Sequence, residues 1–277
     1  MSREQILDHA ARLIREADGL LIGAGAGIGV DSGLPDFRGD NGFWHAYPAL
    51  GRAGISFYDA ASPRTFESDP RLAWGFYGHR LQLYRQTAPH DGFRLLREVG
   101  MQLEHGVFVF TSNVDGQFQK AGFDADSVCE CHGSIHHLQC LENCTGDIWP
   151  ADGFVPEVDT ERCQLTSSLP TCPRCGALAR PNILMFGDWG WNHERTNAQE
   201  TALARWLARV KRPAVIELGA GTDVPSVRAF CEGTHHPLIR VNPRAPQLGG
   251  VKGIGLAMGA LAAVQAIAAR LISRGCV

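Results

Sequence analysis

A doubly wound α/β fold, a parallel sheet with helices on both faces, is what three features of this 277-residue sequence predict. Short unbroken apolar runs alternate with stretches of helical periodicity. A glycine cluster follows the first of those runs directly, and two segments of different character interrupt the alternation. The expected architecture is therefore Rossmann-like, with the interruptions forming a smaller second lobe.

The elements follow in order. Ile6, Leu7, Ala10, Leu13, Ile14 and Ala17 recur at helical spacing, and Leu20, Leu21 and Ile22 then read as a buried strand. Further strands are expected over 107–111 (VFVFT), 214–218 (AVIEL) and 238–241 (LIRV), and helices over 93–99, 198–210 and 258–272. Residues 43–89 are rich in aromatics, Pro and Arg at mostly helical spacing, while 134–182 hold paired cysteines, several prolines and few long apolar runs. The sequence thus divides into a main domain of 1–42, 90–133 and 183–277, a helical insertion of 43–89 and a cysteine-bearing module of 134–182. A cleft between two such lobes is where ligands usually sit.

Composition narrows the function classes. The chain is 44% hydrophobic, 20% charged and 8% aromatic, the profile of an ordinary globular protein. Its 26 Lys and Arg against 29 Asp and Glu leave a charge of −3, so nothing in the balance calls for nucleic acid or an anionic membrane as partner. No apolar run approaches the roughly 20 residues of a bilayer span. The opening MSREQILDHAARLIREADGLL places charges where a signal peptide needs an apolar stretch, so a cytoplasmic protein is expected. Clustered cysteines in a reducing compartment bind metal or do chemistry more often than they form disulfides.

Three sets of residues carry chemistry. The first is GAGAGIGVDSGLPDFRG, residues 23–39, where glycines at 23, 25, 27 and 29 let a backbone approach a pyrophosphate, or alternatively only pack strand tightly on helix. The strict dehydrogenase fingerprint fails, because Gly23 and Gly25 would require glycine at the position of Ile28. The second set is Cys140-x3-Cys144 and Cys172-x2-Cys175, four soft ligands in two close pairs, as a closed tetrahedral zinc site needs. Such a site holds structure together without catalysing, and Cys163 could replace one member. The third comprises TSNVDGQFQKAGF at 111–123 and ECHGSIHH at 130–137. Asn113 and Asp115 follow the C-terminal end of an expected strand, where parallel-sheet proteins keep reactive groups, though the same residues also suit an Asx turn or a helix cap. His132 reads either as a functional imidazole or as a satisfied core histidine.

Taken in chain order, these motifs resemble the sirtuins, NAD-dependent protein lysine deacylases. GAGIGVDSGLPDFRG looks like their NAD loop, TSNVD like their second signature, Cys131-His132-Gly133 like their His-Gly pair, and the cysteine pairs like their zinc module. RPNILMFGD at 180–188, GAGTDVPSV at 219–227 and Val241-Asn242 are similar to the substrate-binding strand, the ribose loop and the adenosine-side Asn. The resemblance covers nearly the whole chain. It implies an NAD cleft formed by Gly23, Ala24, Gly25, Ala26, Ile28, Asp36, Phe37, Arg38, Ser112, Asn113, Asp115, Gly219, Ala220, Gly221 and Asn242, with Ile28 and Asp115 near the nicotinamide amide. By the same resemblance His132 is the general base, Asn113 and Asp115 act beside it, and Phe186 and Gly187 contact an acyl-lysine protein or peptide. Tyr77 and Arg80, one helical turn apart in WGFYGHR, look like the Tyr-x-x-Arg element of the sirtuin branch that prefers acidic acyl groups; a packed amphipathic helix would show the same spacing.

The chain also departs from the family pattern. Gly29 stands where Ser is common, Ser112 where Gln is common, Gln117-Phe118 where a Leu-His pair is usual, and the ribose loop reads Gly-Ala-Gly for Gly-Thr-Ser. Each change removes or moves a hydrogen-bonding group beside the ribose. Deacylation releasing nicotinamide and acyl-ADP-ribose is the expected activity; transfer of ADP-ribose to protein or water, and a catalytically weak NAD-sensing module, are the competing readings.

Overall fold

The computed structural model describes residues 1–36 and 39–272. Helix α1 (Arg3–Arg15) opens with a reciprocal cap in which Ser2 Oγ accepts from Gln5 N–H and the Gln5 side chain accepts from Ser2 N–H. It buries Leu7, Ala10, Ala11 and Ile14, the stripe its periodicity predicts. Strand β1 (Gly19–Ala24) is buried throughout and runs into a short 3-10 helix, Ala26–Ser32, where a full α-helix would meet a dinucleotide in the usual fingerprint.

Five helices follow: α2 (Gly39–Ala46), α3 (Pro48–Arg52), α4 (Phe57–Ala60), α5 (Pro63–Ser68) and the long α6 (Pro70–Gln86). Ser56, Ser62 and Asp69 cap the last three, and prolines occupy the first turn of α3, α5 and α6, where their missing N–H costs nothing. The chain returns through α7 (Asp91–Met101), β2 (Val107–Thr111), α8 (Gln117–Lys120) and β3 (Val128–Glu130). A module of β4 (Gly133–Cys140), β5 (Ile148–Pro150), β6 (Val158–Asp159), β7 (Gln164–Leu165) and β8 (Ala179–Ile183) comes next. Then α9 (Glu194–Leu207), β9 (Pro213–Leu218), α10 (Ser226–Gly233), β10 (Leu238–Val241), β11 (Gly253–Leu256) and α11 (Ala260–Ile272) complete the described chain.

The six-stranded sheet has the order β11-β10-β9-β1-β2-β3, and every pair in it is parallel. Chain order reverses between β1 and β9, so the loops leaving those two strands diverge and open a crevice at the carboxyl edge. One face of the sheet packs on α1, α7 and α11 through Leu20, Ile22, Val109, Phe93, Val264 and Ile267; the other packs on α9 and α10 through Leu21, Phe108, Trp206, Val215 and Cys231. Helices on both faces make the doubly wound fold that the sequence predicts.

A separate core joins the helices 39–86 to the antiparallel sheet β5-β4-β8. Phe43, Phe66, Trp74, Phe76 and Tyr77 are nearly inaccessible there, and fully burying each such side chain contributes about 1.5–3 kcal/mol. Strands β3 and β11 escape the sequence reading. β3 has three residues and includes Glu130, and β11 is Gly-Ile-Gly-Leu, so neither presents the long apolar run that marks a buried strand. Helix α9 also starts and ends earlier than periodicity suggests, since Glu194 and Arg195 begin it and the helix gives way at Ala208. Among the described residues no helix is long and apolar enough to cross a membrane.

Candidate active site

The crevice at the switch point widens, between the parallel sheet and the smaller core, into a cavity of about 960 Å³. Its floor is built by interlocked glycine loops. Gly25 N–H donates to Leu218 O and Gly27 N–H to Gly219 O, each at 3.0 Å. A Cβ on Gly27 would stand 2.8 Å from Gly219 Cα, and Gly219 itself has φ +62, so neither position admits a side chain. The glycines therefore serve a close backbone approach, but between two loops of this chain rather than towards a ligand alone. Gly23 likewise packs on α10, where a Cβ would meet Cys231 Sγ at 2.2 Å.

Of the residues expected at a nucleotide cleft, Ala26, Asp36, Ser112, Asn113, Asp115, Gly219, Ala220, Gly221 and Asn242 line this cavity. Gly23, Ala24, Gly25 and Ile28 are buried and do not line it. Phe37 and Arg38 fall outside the described residues. His132, Tyr77, Arg80 and Phe186 are lining residues, whereas Gly187 is not. Arg244, Tyr84, Asp223, Tyr58 and Leu184 also line it, and sequence reasoning missed them. Tyr84 was within reach of that reasoning: it lies four residues after Arg80, on the same helix face.

Strand ends position the polar groups. Asn113 N–H donates to Thr111 Oγ1 (3.0 Å) and its Nδ2 to Gly25 O (3.2 Å), so this side chain ties the loop after β2 to the glycine loop after β1. Asp115 Oδ1 accepts from Gln117 N–H at 2.9 Å, an Asx turn, while the residue also lines the cavity. Burial pushes the Asp115 carboxyl up to about 6, helped by Glu130 and opposed by Arg80. Asn242 spends its amide on loops: Nδ2 donates to Ala220 O, and Oδ1 accepts from Arg244 and Ala245 N–H, all at 3.0 Å.

His132 stands between β3 and β4. Its Nε2 lies 3.1 Å from Ser226 Oγ, and burial lowers its pKa from the ordinary imidazole value while the Ser112 backbone carbonyl opposes that. The ring is therefore neutral at pH 7, as an acceptor of protons must be. Arg80 enters from α6. Its guanidinium lies over the rings of Phe76, Tyr77 and Tyr84 at 5.1, 5.6 and 5.4 Å, and Nε and Nη2 donate to Tyr84 Oη at 3.1 and 2.9 Å. Phe186 stacks on Tyr58 at 4.7 Å, and its N–H donates to Ala61 O. The loop beyond is pinned by Asp188, which pairs with the buried Arg180 and accepts from Met185 and Gly190 N–H.

Away from the cavity, Cys140, Cys144, Cys172 and Cys175 bring four Sγ atoms within 4.8 Å of one another. Cys140 and Cys175 are 3.7 Å apart, and Cys144 and Cys172 are 3.6 Å apart. Zinc–sulfur bonds of about 2.3 Å in a tetrahedron set sulfur–sulfur edges near 3.8 Å, so the donor set fits a zinc ion. Cys163 lies in the β6–β7 hairpin, buried against α6, and is not part of the cluster. That removes the alternative the spacing left open.

Residues 25–205 match the model of the Sir2 family. A protein of Thermococcus kodakarensis named NAD-dependent protein deacylase is 35% identical over 66% of this chain and 65% of its own length. One of the same name from Aeropyrum pernix is 30% identical over 91% of this chain and 92% of its own. The chain thus spans slightly less than two thirds of the first relative and nearly all of the second. A solved complex of a Sir2 homologue with NAD shares the fold at a TM-score of 0.72, with 22% identity over 98% of this chain and 94% of that one.

Proposed function

This chain belongs to the Sir2 family, and on that premise we propose that it is an NAD-dependent protein lysine deacylase with a preference for acidic acyl groups. One observation carries the reading: a single cavity at the switch point is lined by His132, Asn113 and Asp115 and also by Tyr77 and Arg80. NAD and an acyl-lysine are the two substrates. The acyl carbonyl oxygen forms a bond to the ribose carbon as the bond from that carbon to nicotinamide breaks, nicotinamide taking the electron pair. His132 takes the proton of a ribose hydroxyl, for which a neutral imidazole is suited. Asn113 holds the loop around the ribose, through its bond to Gly25 O. The ribose oxygen freed by that proton transfer then attacks the acyl carbon, and water hydrolyses the resulting adduct with release of the lysine amine, so NAD, acyl-lysine and water give nicotinamide, acyl-ADP-ribose and lysine.

Arg80 supports the acidic preference, because a guanidinium held by the Tyr84 hydroxyl and by the rings of Phe76, Tyr77 and Tyr84 sets a fixed positive charge at the cavity wall for a carboxylate. In this reading residues 1–42, 90–133 and 183–277 form the NAD-binding domain, 43–89 and 134–182 form the lobe that takes the acyl chain, and the four cysteines hold one structural zinc. A cytoplasmic setting suits this reading, because clustered cysteines in a reducing compartment bind metal more often than they form disulfides.

Nicotinamide release across acetyl-, succinyl- and glutaryl-lysine peptides tests it. We expect the acidic peptides to give the higher kcat/KM, and His132→Ala to lower turnover about 10²–10⁴-fold with NAD binding retained. ADP-ribose left on protein in place of acyl-ADP-ribose, or near-normal turnover without His132, would overturn the assignment.

A further inference from the structure

We propose that Ser226 is the positioning residue that sets the tautomer of His132 and keeps it a free base; this rests on the reading of His132 as general base. Ser226 is the first residue of α10, directly after the loop 219–225, and does not itself line the cavity. Its Oγ is 3.1 Å from His132 Nε2. On the reading of His132 as base, the nitrogen turned to Ser226 is the one that must keep its lone pair, so the ring proton belongs on Nδ1. Nε2 then keeps its lone pair and accepts the Ser226 hydroxyl proton.

A donor bonded to Nε2 stabilises neutral imidazole and opposes protonation, in the same direction as burial. The hydroxyl is a rotor, so it can turn away when a ribose hydroxyl arrives to claim the same lone pair. His132 is thus held in the protonation state and ring orientation the reaction needs before substrate binds.

The surrounding charges do not supply this control. Asp36, Arg80, Asp115, Asp223 and Arg244 line the same cavity. On α10, Arg228 is directed at the Ala220 and Ala245 carbonyls, and Glu232 pairs with Arg240. Glu130 on β3 pairs with Arg195, and Arg180 on β8 pairs with Asp188. Among the described residues, burial and the backbone of Ser112 act on the His132 ring, and none of these charged side chains is hydrogen-bonded to it.

The test uses full-length protein with its zinc, as wild type, Ser226→Ala and Ser226→Thr. Ring-nitrogen NMR of His132 without NAD should show a protonated Nδ1 and a bare Nε2 in the wild type. In Ser226→Ala the tautomers mix and the ring titrates at higher pH, and Ser226→Thr restores the wild-type pattern. Loss of one such hydrogen bond should raise the ratio of kcat/KM at about pH 8 to that at about pH 6 by roughly 2- to 5-fold, with zinc content and NAD affinity unchanged. A protonated Nε2 in the wild type, an unmoved titration in Ser226→Ala, or a threonine variant that behaves as alanine does would overturn the proposal. The expected NMR changes with an unmoved kinetic ratio would uphold the role of Ser226 and overturn His132 as the base.

Discussion

Asp115 lines the cavity at a cost to the fold. Its carboxyl titrates near 6 in the folded chain, against about 3.9 when exposed to water. Between those values the unfolded chain is ionised and the folded one is not, so the folded state binds more protons and stability falls as pH rises from about 4 to about 6. Above that the loss is complete. Asp115→Asn keeps an acceptor for Gln117 N–H and removes the buried charge, so it should gain about 1–3 kcal/mol over the wild type at pH 8 and nothing at pH 4. Denaturant titrations at the two pH values measure this; an equal effect at both would show that Asp115 is not held protonated by the fold. Arg80→Met acts at the same scale. Losing charge-assisted bonds to a substrate carboxylate should lower kcat/KM for succinyl- or glutaryl-lysine about 10-fold or more, while the acetyl rate stays within about 2-fold. A uniform loss across all three acyl groups would mean that Arg80 only supports helix α6. The Tyr-x-x-Arg spacing was legible in the sequence, but the fork-holding Tyr84 was visible only as a helical neighbour with no stated purpose.

Among the elements, the loops after β1 and β9 depend on each other. Gly27→Ala forces a methyl into the Gly219 backbone, which has no flexible end to yield, and overpacking of this kind costs about 1–3 kcal/mol. Since both loops line the cavity, NAD affinity should fall together with Tm; calorimetry and NAD titration on the same variant check the pairing. Stability lost with affinity intact would show that nucleotide does not sit on this floor. Strand β8 and the turn after it illustrate the opposite dependence. Their shape hangs on Arg180 and Asp188, both buried, and removal of either partner would leave the other an uncompensated buried charge. The two residues bound the RPNILMFGD motif, but their pairing is not legible there, because a buried ion pair is recognised only when both ends are seen together.

Across the whole molecule, two cores meet at one cavity, and the four-cysteine cluster lies at the sheet of the smaller one. The zinc cluster joins the turn after β4 to the turn before β8, so it closes the antiparallel sheet that backs the cavity. Cys172→Ser should abolish stoichiometric zinc, whereas Cys163→Ser should leave it unchanged. Removal of zinc by a chelator should speed hydrogen exchange in β4, β5 and β8 and stop acyl turnover, with the parallel sheet still protected; metal analysis and exchange mass spectrometry follow both. Uniform loss of protection would mean that the chain unfolds as one unit.

The sequence by itself determined the alternation of buried strand and helix, because strands covered on both faces must be apolar throughout and that pattern is local. It also marked the two cysteine pairs, because paired thiols at turn spacing are local too, but it left Cys163 as an alternative ligand that only the structure removed. Only the tertiary structure decided which way each glycine serves. Gly25 and Gly27 are required by Gly219 and Ala220, nearly two hundred residues away, and a close approach between distant segments leaves no periodic mark in either. The same holds for His132: its neighbour on Nε2 is Ser226, brought there by the turn from β9 into α10. Hydrogen bonds between side chains depend on where the backbone places them in space, and that placement is settled by packing of the sheet and its helices, not by any spacing along the chain.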